Sequence, residues 1–172
     1  MDIEVTWLAG SKALLRYGSV EMDCALGKAG ITANKREGDH ATPVGRFPLR
    51  FLFYRGDKLG KPQTTLAGQE ISPFDGWCDA PDHPRYNQYV RIPFSASHER
   101  LWREDDLYDL VIILGHNDAP AVAGDGSCIF LHVARNDYQG TEGCVALKKQ
   151  DLLTLLAALD GDSHLTILPA TE

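Results

Sequence analysis

Apolar and polar residues alternate from the second position of the chain. Ile3, Val5 and Trp7 face one side while Asp2, Glu4 and Thr6 face the other, the period of a half-buried strand. Gly10-Ser11 marks a turn, residues 13–17 read as a returning strand, and Gly18-Ser19 marks a second turn. Val20, Met22, Cys24 and Leu26 then alternate with Glu21, Asp23 and Ala25, so the opening segment predicts an antiparallel three-stranded meander. Residues 29–45 change character, with Gly30, Gly38, Pro43 and Gly45 as breakers, and predict a loop.

Strand character returns over residues 46–54. Residues 56–85 form the longest irregular stretch, rich in Gly, Pro and Asp; Phe74, Trp77 and the adjoining Tyr86 predict that it is packed and ordered rather than a linker. Residues 95–103 predict a short helix. The run Leu110-Val111-Ile112-Ile113-Leu114 has the length and continuity of a strand buried on both faces, and residues 129–134 predict a second central strand. Leu152, Leu155, Leu156 and Leu159 recur at helical spacing, with Gly161 as the expected stop and residues 165–168 as a last strand. Residues 1–172 contain no repeat and no boundary. They predict a single, mainly β domain with a C-terminal amphipathic helix and one or two short helices.

Composition narrows the partners. At 172 residues the chain can bury a real core. Seventeen basic against 24 acidic residues give a net charge of −7, which argues against nucleic acid and against an anionic membrane surface as partners. No apolar run approaches the roughly 18–20 residues that span a bilayer. Met1-Asp2-Ile3-Glu4-Val5 has neither the basic nor the apolar region of a signal peptide, so a cytoplasmic location is expected, with a periplasmic one as the alternative if a signal has been removed. The four cysteines, Cys24, Cys78, Cys128 and Cys144, show no disulfide or zinc-ribbon spacing and fit a reducing compartment.

Two segments carry the chemistry. In Ile129-Phe130-Leu131-His132-Val133-Ala134-Arg135, alternation puts Ile129, Leu131 and Val133 on one face and Cys128, Phe130 and His132 on the other. Taken alone, His132 reads as a histidine satisfied by a backbone carbonyl. In Gln139-Gly140-Thr141-Glu142-Gly143-Cys144-Val145, the thiol follows a glycine turn, where it can be exposed and where backbone N–H groups can face an oxyanion. Taken alone, Cys144 reads as a small buried hydrophobe. The two are twelve positions apart, a strand and a short return, which brings a thiol–imidazole pair within reach.

The His132 to Cys144 spacing, set in Phe-Leu-His…Thr-Glu-Gly-Cys-Val, resembles the signature of the YkuD-type L,D-transpeptidase family. Gly38-Asp39-His40-Ala41-Thr42-Pro43-Val44-Gly45-Arg46-Phe47 resembles the same family's G-D-x-x-T-P-x-G-x-F segment, in the family's order. The resemblance implies a β-sandwich-like domain in which Cys144 is nucleophile, His132 is base and then acid, and Gly143 and Cys144 N–H groups serve the oxyanion. The implied substrate is a peptidoglycan stem peptide or muropeptide, attacked at the L-centre carbonyl of diaminopimelate with loss of D-alanine. No metal or organic cofactor is required, and a carbapenem is expected to acylate the thiol. Thr141 is expected to orient the turn or meet substrate, and His116 to line the site. Two departures stand out. Glu142 occupies a position often held by histidine, and Ala146 one often held by arginine, so a substrate carboxylate needs another cation. Arg135 is the first choice, with Lys35 and Arg36 behind it. Hydrolysis by an L,D-carboxypeptidase leads; a true L,D-transpeptidase and a non-catalytic muropeptide-binding module are the alternatives. Cys78 and His83 fit no strong zinc pattern. Residues 97–102 read equally as a lid or as a solvated helix.

Overall fold

The structure, a computed structural model, describes residues 1–170. The opening alternation becomes β1 (Asp2–Ala9), β2 (Lys12–Tyr17) and β3 (Val20–Ala25), paired antiparallel in sequence order as predicted. Gly10 and Gly18 hold positive φ at the two turns, where a side chain would be strained. Inside the loop-like stretch, β4 (Ile31–Thr32) and β5 (Thr42–Pro43) form a short parallel pair. There follow β6 (Gly45–Tyr54), a one-turn helix α1 (Gly56–Leu59), β7 (Gly68–Glu70), β8 (Asp75–Cys78), β9 (Tyr89–Arg91) and β10 (His98–Arg100). The central strands are β11 (Leu110–Leu114) and β12 (Phe130–Val133), and β13 (Val145–Leu147), α2 (Lys149–Ala158) and β14 (His164–Ile167) complete the chain.

Mainly β architecture is as expected, and the main sheet closes on itself. β6 is ten residues long, enough to pair with β14 over its first half and with β11 over its second. The sheet therefore runs β6, β11, β12, β13, β3, β2, β1, β14 and back to β6, with β7 added beside β6. Closure removes the exposed edges that an open sheet would leave. One apolar cluster, including Ile3, Leu15, Leu52, Ile112, Leu131 and Leu165, occupies the interior, joined by Leu152, Leu155 and Leu156 of α2. A second cluster lies on the opposite face of β6, β11 and β12, with Phe53, Val111, Ile113 and Phe130 under Trp77, Tyr89 and Leu101. These last three belong to the segment of β8, β9 and β10, which form a separate three-stranded sheet, here termed the cap.

The cap is where the sequence reading departs most from the fold. Residues 95–103, expected to be helical, contain strand β10, and residues 56–85, expected to be irregular, contain α1, β7 and β8. Antiparallel pairing places Glu99 opposite Trp77, so the segment takes a period of two rather than 3.6. Tertiary packing of Leu101, fully buried, decides the outcome over local propensity. The C-terminal helix also stops earlier than Gly161: Leu159 is already extended, buried in the core, and its carbonyl accepts the Thr65 hydroxyl at 2.9 Å.

Leu131→Ala is expected to lower the unfolding free energy by about 2–5 kcal/mol, because Leu131 is fully buried in the interior cluster. The exposed Leu8, replaced by alanine, should change it by no more than about 0.5 kcal/mol. Urea denaturation of both variants measures the contrast.

Candidate active site

The parallel ladder between β12 and β13 assembles the site. Leu131 pairs with Val145 and His132 with Ala146, so Cys144 stands level with Phe130, on the face that carries His132 two residues further along. The predicted division of faces holds: Ile129, Leu131 and Val133 join the interior cluster, while Cys128, Phe130 and Cys144 belong to the other. The Cys144 thiol donates to the Cys128 carbonyl at 3.1 Å and accepts the Phe130 N–H at 3.4 Å. His132 Nδ1–H donates to the Val133 carbonyl at 2.8 Å. Because a carbonyl can only accept, this bond leaves Nε2 as the unprotonated, basic nitrogen. Cys144 and His132 line one cavity of about 310 Å³.

The glycine turn is held by two threonines. Thr141 Oγ1 donates to the Cys144 carbonyl at 2.7 Å and accepts the Gly143 N–H at 3.1 Å. Thr42, fully buried in the G-D-x-x-T-P segment, accepts the Gly27 N–H at 2.8 Å and reaches the Cys144 carbonyl at 3.5 Å. That segment therefore supports the backbone on which the thiol sits. Gly143 has φ +138°, and a Cβ there would meet the Ala41 carbonyl oxygen at 3.0 Å, so a larger residue would disturb the turn. Its N–H is turned onto Thr141 and away from an oxyanion role. Thr141 lines the cavity but commits its hydroxyl to the turn.

His116 lies outside the cavity lining. Its Nε2–H donates to the Asp125 carbonyl at 3.0 Å and its ring meets Phe47 edge-on, so it fastens the loop that leads into β12. The three candidate cations separate clearly. Lys35 is buried and bound to Asp39, and Arg36 is paired with Asp125. Arg135 is exposed, lines the cavity and has no acidic partner among the described residues. Glu142 faces outward, bound by Lys28 and His40, which hold its carboxyl below the usual range. Ala146 is buried in the ladder between His132 and Ala25, where an arginine would have to displace packed neighbours. Cys78 is fully buried, and His83 accepts the Arg85 N–H at 3.0 Å and packs against Phe94.

Asp79, Glu99, Arg103 and Tyr108 also line the cavity, and of these only Glu99 lay in the segment that the sequence offered as a lid. They come from the cap and from the segment that follows it, far from either motif. The Tyr108 hydroxyl donates to Glu99 at 2.9 Å and its ring meets His132 edge-on, while Arg103 is bound bidentately by Asp105 at 2.7 and 2.8 Å. Asn87, in the turn between β8 and β9, rivets the cap to the site. Its Oδ1 accepts the Cys128 and Trp77 N–H groups, and its Nδ2 donates to the carbonyls of His116 and Asn117.

Burial sets the protonation states. It pushes the Cys144 thiol up to about 12, with Glu99 adding to the shift, and it pulls the His132 imidazole down to about 4. At neutral pH both the thiol and the imidazole rest neutral, and the thiol's hydrogen bond goes to the Cys128 carbonyl rather than to the imidazole. Alkylation of Cys144 by iodoacetamide should therefore be slow near neutrality and rise about tenfold per pH unit up to about pH 10. Peptide mapping of the labelled protein measures the rate at each cysteine, and a plateau between about pH 7 and 8 would identify a preformed thiolate instead.

Two solved structures are similar at 14% sequence identity. Bd1075 of Bdellovibrio bacteriovorus has a TM-score of 0.44, with 99% of this chain and 49% of that chain covered. The helical cell shape determining protein Pgp2 of Campylobacter jejuni has a TM-score of 0.41, with 99% and 48% covered. The chain spans about half the length of either. No curated protein matches the sequence. The L,D-transpeptidase catalytic domain family matches residues 4–167, a span that contains β2 to β14 and both motifs. The chain belongs to the YkuD family of L,D-transpeptidase catalytic domains.

Proposed function

We propose that the protein removes the terminal D-alanine from peptidoglycan stem tetrapeptides, as an L,D-carboxypeptidase that uses Cys144 as nucleophile and His132 as general base. The observation that carries this reading is the thiol and the basic Nε2 side of His132 facing one cavity from neighbouring strands. Attack forms the bond from Sγ to the L-centre carbonyl carbon of diaminopimelate. His132 Nε2 takes the thiol proton and then gives it to the departing D-alanine amine, and water releases the thioester. With the thiol and imidazole both neutral at rest, proton transfer accompanies formation of the C–S bond rather than preceding it. The Cys144 N–H is the oxyanion donor in this reading, since the Gly143 N–H is bound to Thr141.

Two features support hydrolysis over transfer. The cavity, about 310 Å³, is at the lower end of ligand-site volumes and suits the end of one stem. Arg135, exposed at the cavity and without an acidic partner among the described residues, supports a cation for the C-terminal carboxylate of that stem. We assign the reaction to a reducing compartment, where free muropeptides are the accessible donors; four free cysteines, two of them facing the cavity, support that assignment.

Cys144→Ala should abolish turnover with the fold retained, and His132→Ala should lower kcat by about 10²–10⁴-fold. Steady-state assays with a defined tetrapeptide, beside circular dichroism of each variant, test the pair. Retained activity in folded Cys144→Ala would remove the mechanism.

Arg135→Ala should raise KM well above any change in kcat. In the parent protein, tetrapeptide with excess glycine should yield chiefly tripeptide and free D-alanine by mass. Mainly exchanged peptide would assign the protein to transfer.

A further inference from the structure

Hydrogen bonding alone does little to hold the imidazole of His132. Its bond runs from Nδ1–H to the carbonyl of the next residue, Val133, at 2.8 Å. One bond to a chain neighbour leaves an imidazole free to pivot about the contact and to flip about Cβ–Cγ, which exchanges Nδ1 with Nε2. The resting thiol gives no second anchor, because it donates to the Cys128 carbonyl. Alignment nevertheless matters greatly here. With the thiol pushed up to about 12 and the imidazole pulled down to about 4, proton transfer is uphill. It succeeds only when Sγ, Nε2 and the attacked carbonyl are arranged together.

Tyr108 supplies the surface that the imidazole lacks. The two rings meet edge-on, with centroids 5.4 Å apart and planes at 70°. Tyr108 is buried and braced in turn. Its hydroxyl donates to Glu99 of β10 at 2.9 Å, which ties the ring to the cap. Phe130 meets the ring edge-on at 6.0 Å, and the Arg103 guanidinium, itself bound by Asp105, lies 5.2 Å over it. The backbone is pinned on both sides. The Leu107 carbonyl accepts the Val133 N–H at 3.0 Å, and the buried Asp109 carboxylate binds Lys58 and Lys149 at 2.9 and 2.7 Å.

We propose that Tyr108 is a positioning residue for the general base: its ring, tethered to the cap through Glu99, blocks the pivot and flip of His132 and keeps Nε2 open to the cavity that holds the thiol. The inference rests on the Cys144–His132 reading above and adds the residue that aims its base. It also gives the cap a part in the chemistry, since the tether passes from β10 through Tyr108 to the imidazole.

Two substitutions separate tether from ring. Tyr108→Phe removes the hydroxyl and keeps the ring, and with a defined tetrapeptide its kcat should fall about 3- to 10-fold. Tyr108→Leu removes the ring, and kcat should fall about 10- to 100-fold. KM should stay close to that of the parent in both, and circular dichroism checks the fold. In His132→Ala no imidazole remains to be aimed, so neither substitution should lower kcat further, a non-additivity that a merely structural tyrosine would not produce. A readout without substrate is the long-range ¹H–¹⁵N NMR spectrum of His132 at neutral pH. The parent should show the single Nδ1–H tautomer, Tyr108→Leu averaged ring-nitrogen shifts, and Tyr108→Phe values between them. Averaged shifts in a protein that hydrolyses no tetrapeptide would sustain the brace on His132 and remove the carboxypeptidase reading. Losses that add to that of His132→Ala, or that appear in KM rather than kcat, would overturn the proposal and leave that reading intact. So would parent-like kcat and tautomer in folded Tyr108→Phe, a comparison that decides the matter even if Tyr108→Leu does not fold.

Discussion

The register between β12 and β13 is the constraint on which the rest depends. Side chains on a strand alternate between faces, so a slip of one residue would carry Leu131 out of the interior and turn His132 into it. Core burial and chemistry are thus fixed by the same ladder. The interior face of β12, with Leu131 and Val133, makes the slipped register costly, and the outer face receives a defined geometry as a result. Thr42 and Thr141 finish the job at the end of the ladder, where β13 has not yet begun and backbone pairing can no longer hold Cys144.

Burial on that outer face sets the electrostatic character of the site. The cap covers Phe130 and Val111, and the thiol and imidazole lie under or beside it, so both are driven to their neutral forms. A thiol in that state is protected from adventitious alkylation and oxidation near neutral pH. Glu142, adjacent to the Gly-Cys pair, contributes little to this state because Lys28 and His40 already bind it at the outer rim.

Much of the barrel and the core of the site were legible because they rest on local patterns. The alternation from Ile3 to Leu26, the run Leu110–Leu114 and the leucine stripe of α2 each report their own burial. His132 and Cys144 were legible because the two motifs that contain them resemble a known family. The cap was not. Residues 75–100 fold as strands only because Trp77, Tyr89 and Leu101 find Phe53, Val111 and Phe130, partners remote in sequence. His116 was assigned to the site from its place at the end of a buried strand, and its ring instead turns to the Asp125 carbonyl, a contact set by a loop that has no regular period. Glu99 lay in a segment that read equally as a lid or as a solvated helix, and the pairing of β8 with β10 makes it a strand residue that lines the cavity.

The cap's ladders are internal to it: β8 pairs with β9 and β10, and with no strand of the closed sheet. What joins the cap to the closed sheet is side-chain packing with hydrogen bonds at Asn87, Tyr86 and Tyr108, not a shared backbone ladder. Cys144 and His132 therefore sit on the closed sheet, while one wall of their cavity comes from the cap. Substitutions within the cap can reshape that wall while the register of β12 and β13 is kept. That separation leaves the composition of the cavity wall free to vary without disturbing the ladder that holds His132 and Cys144 in register.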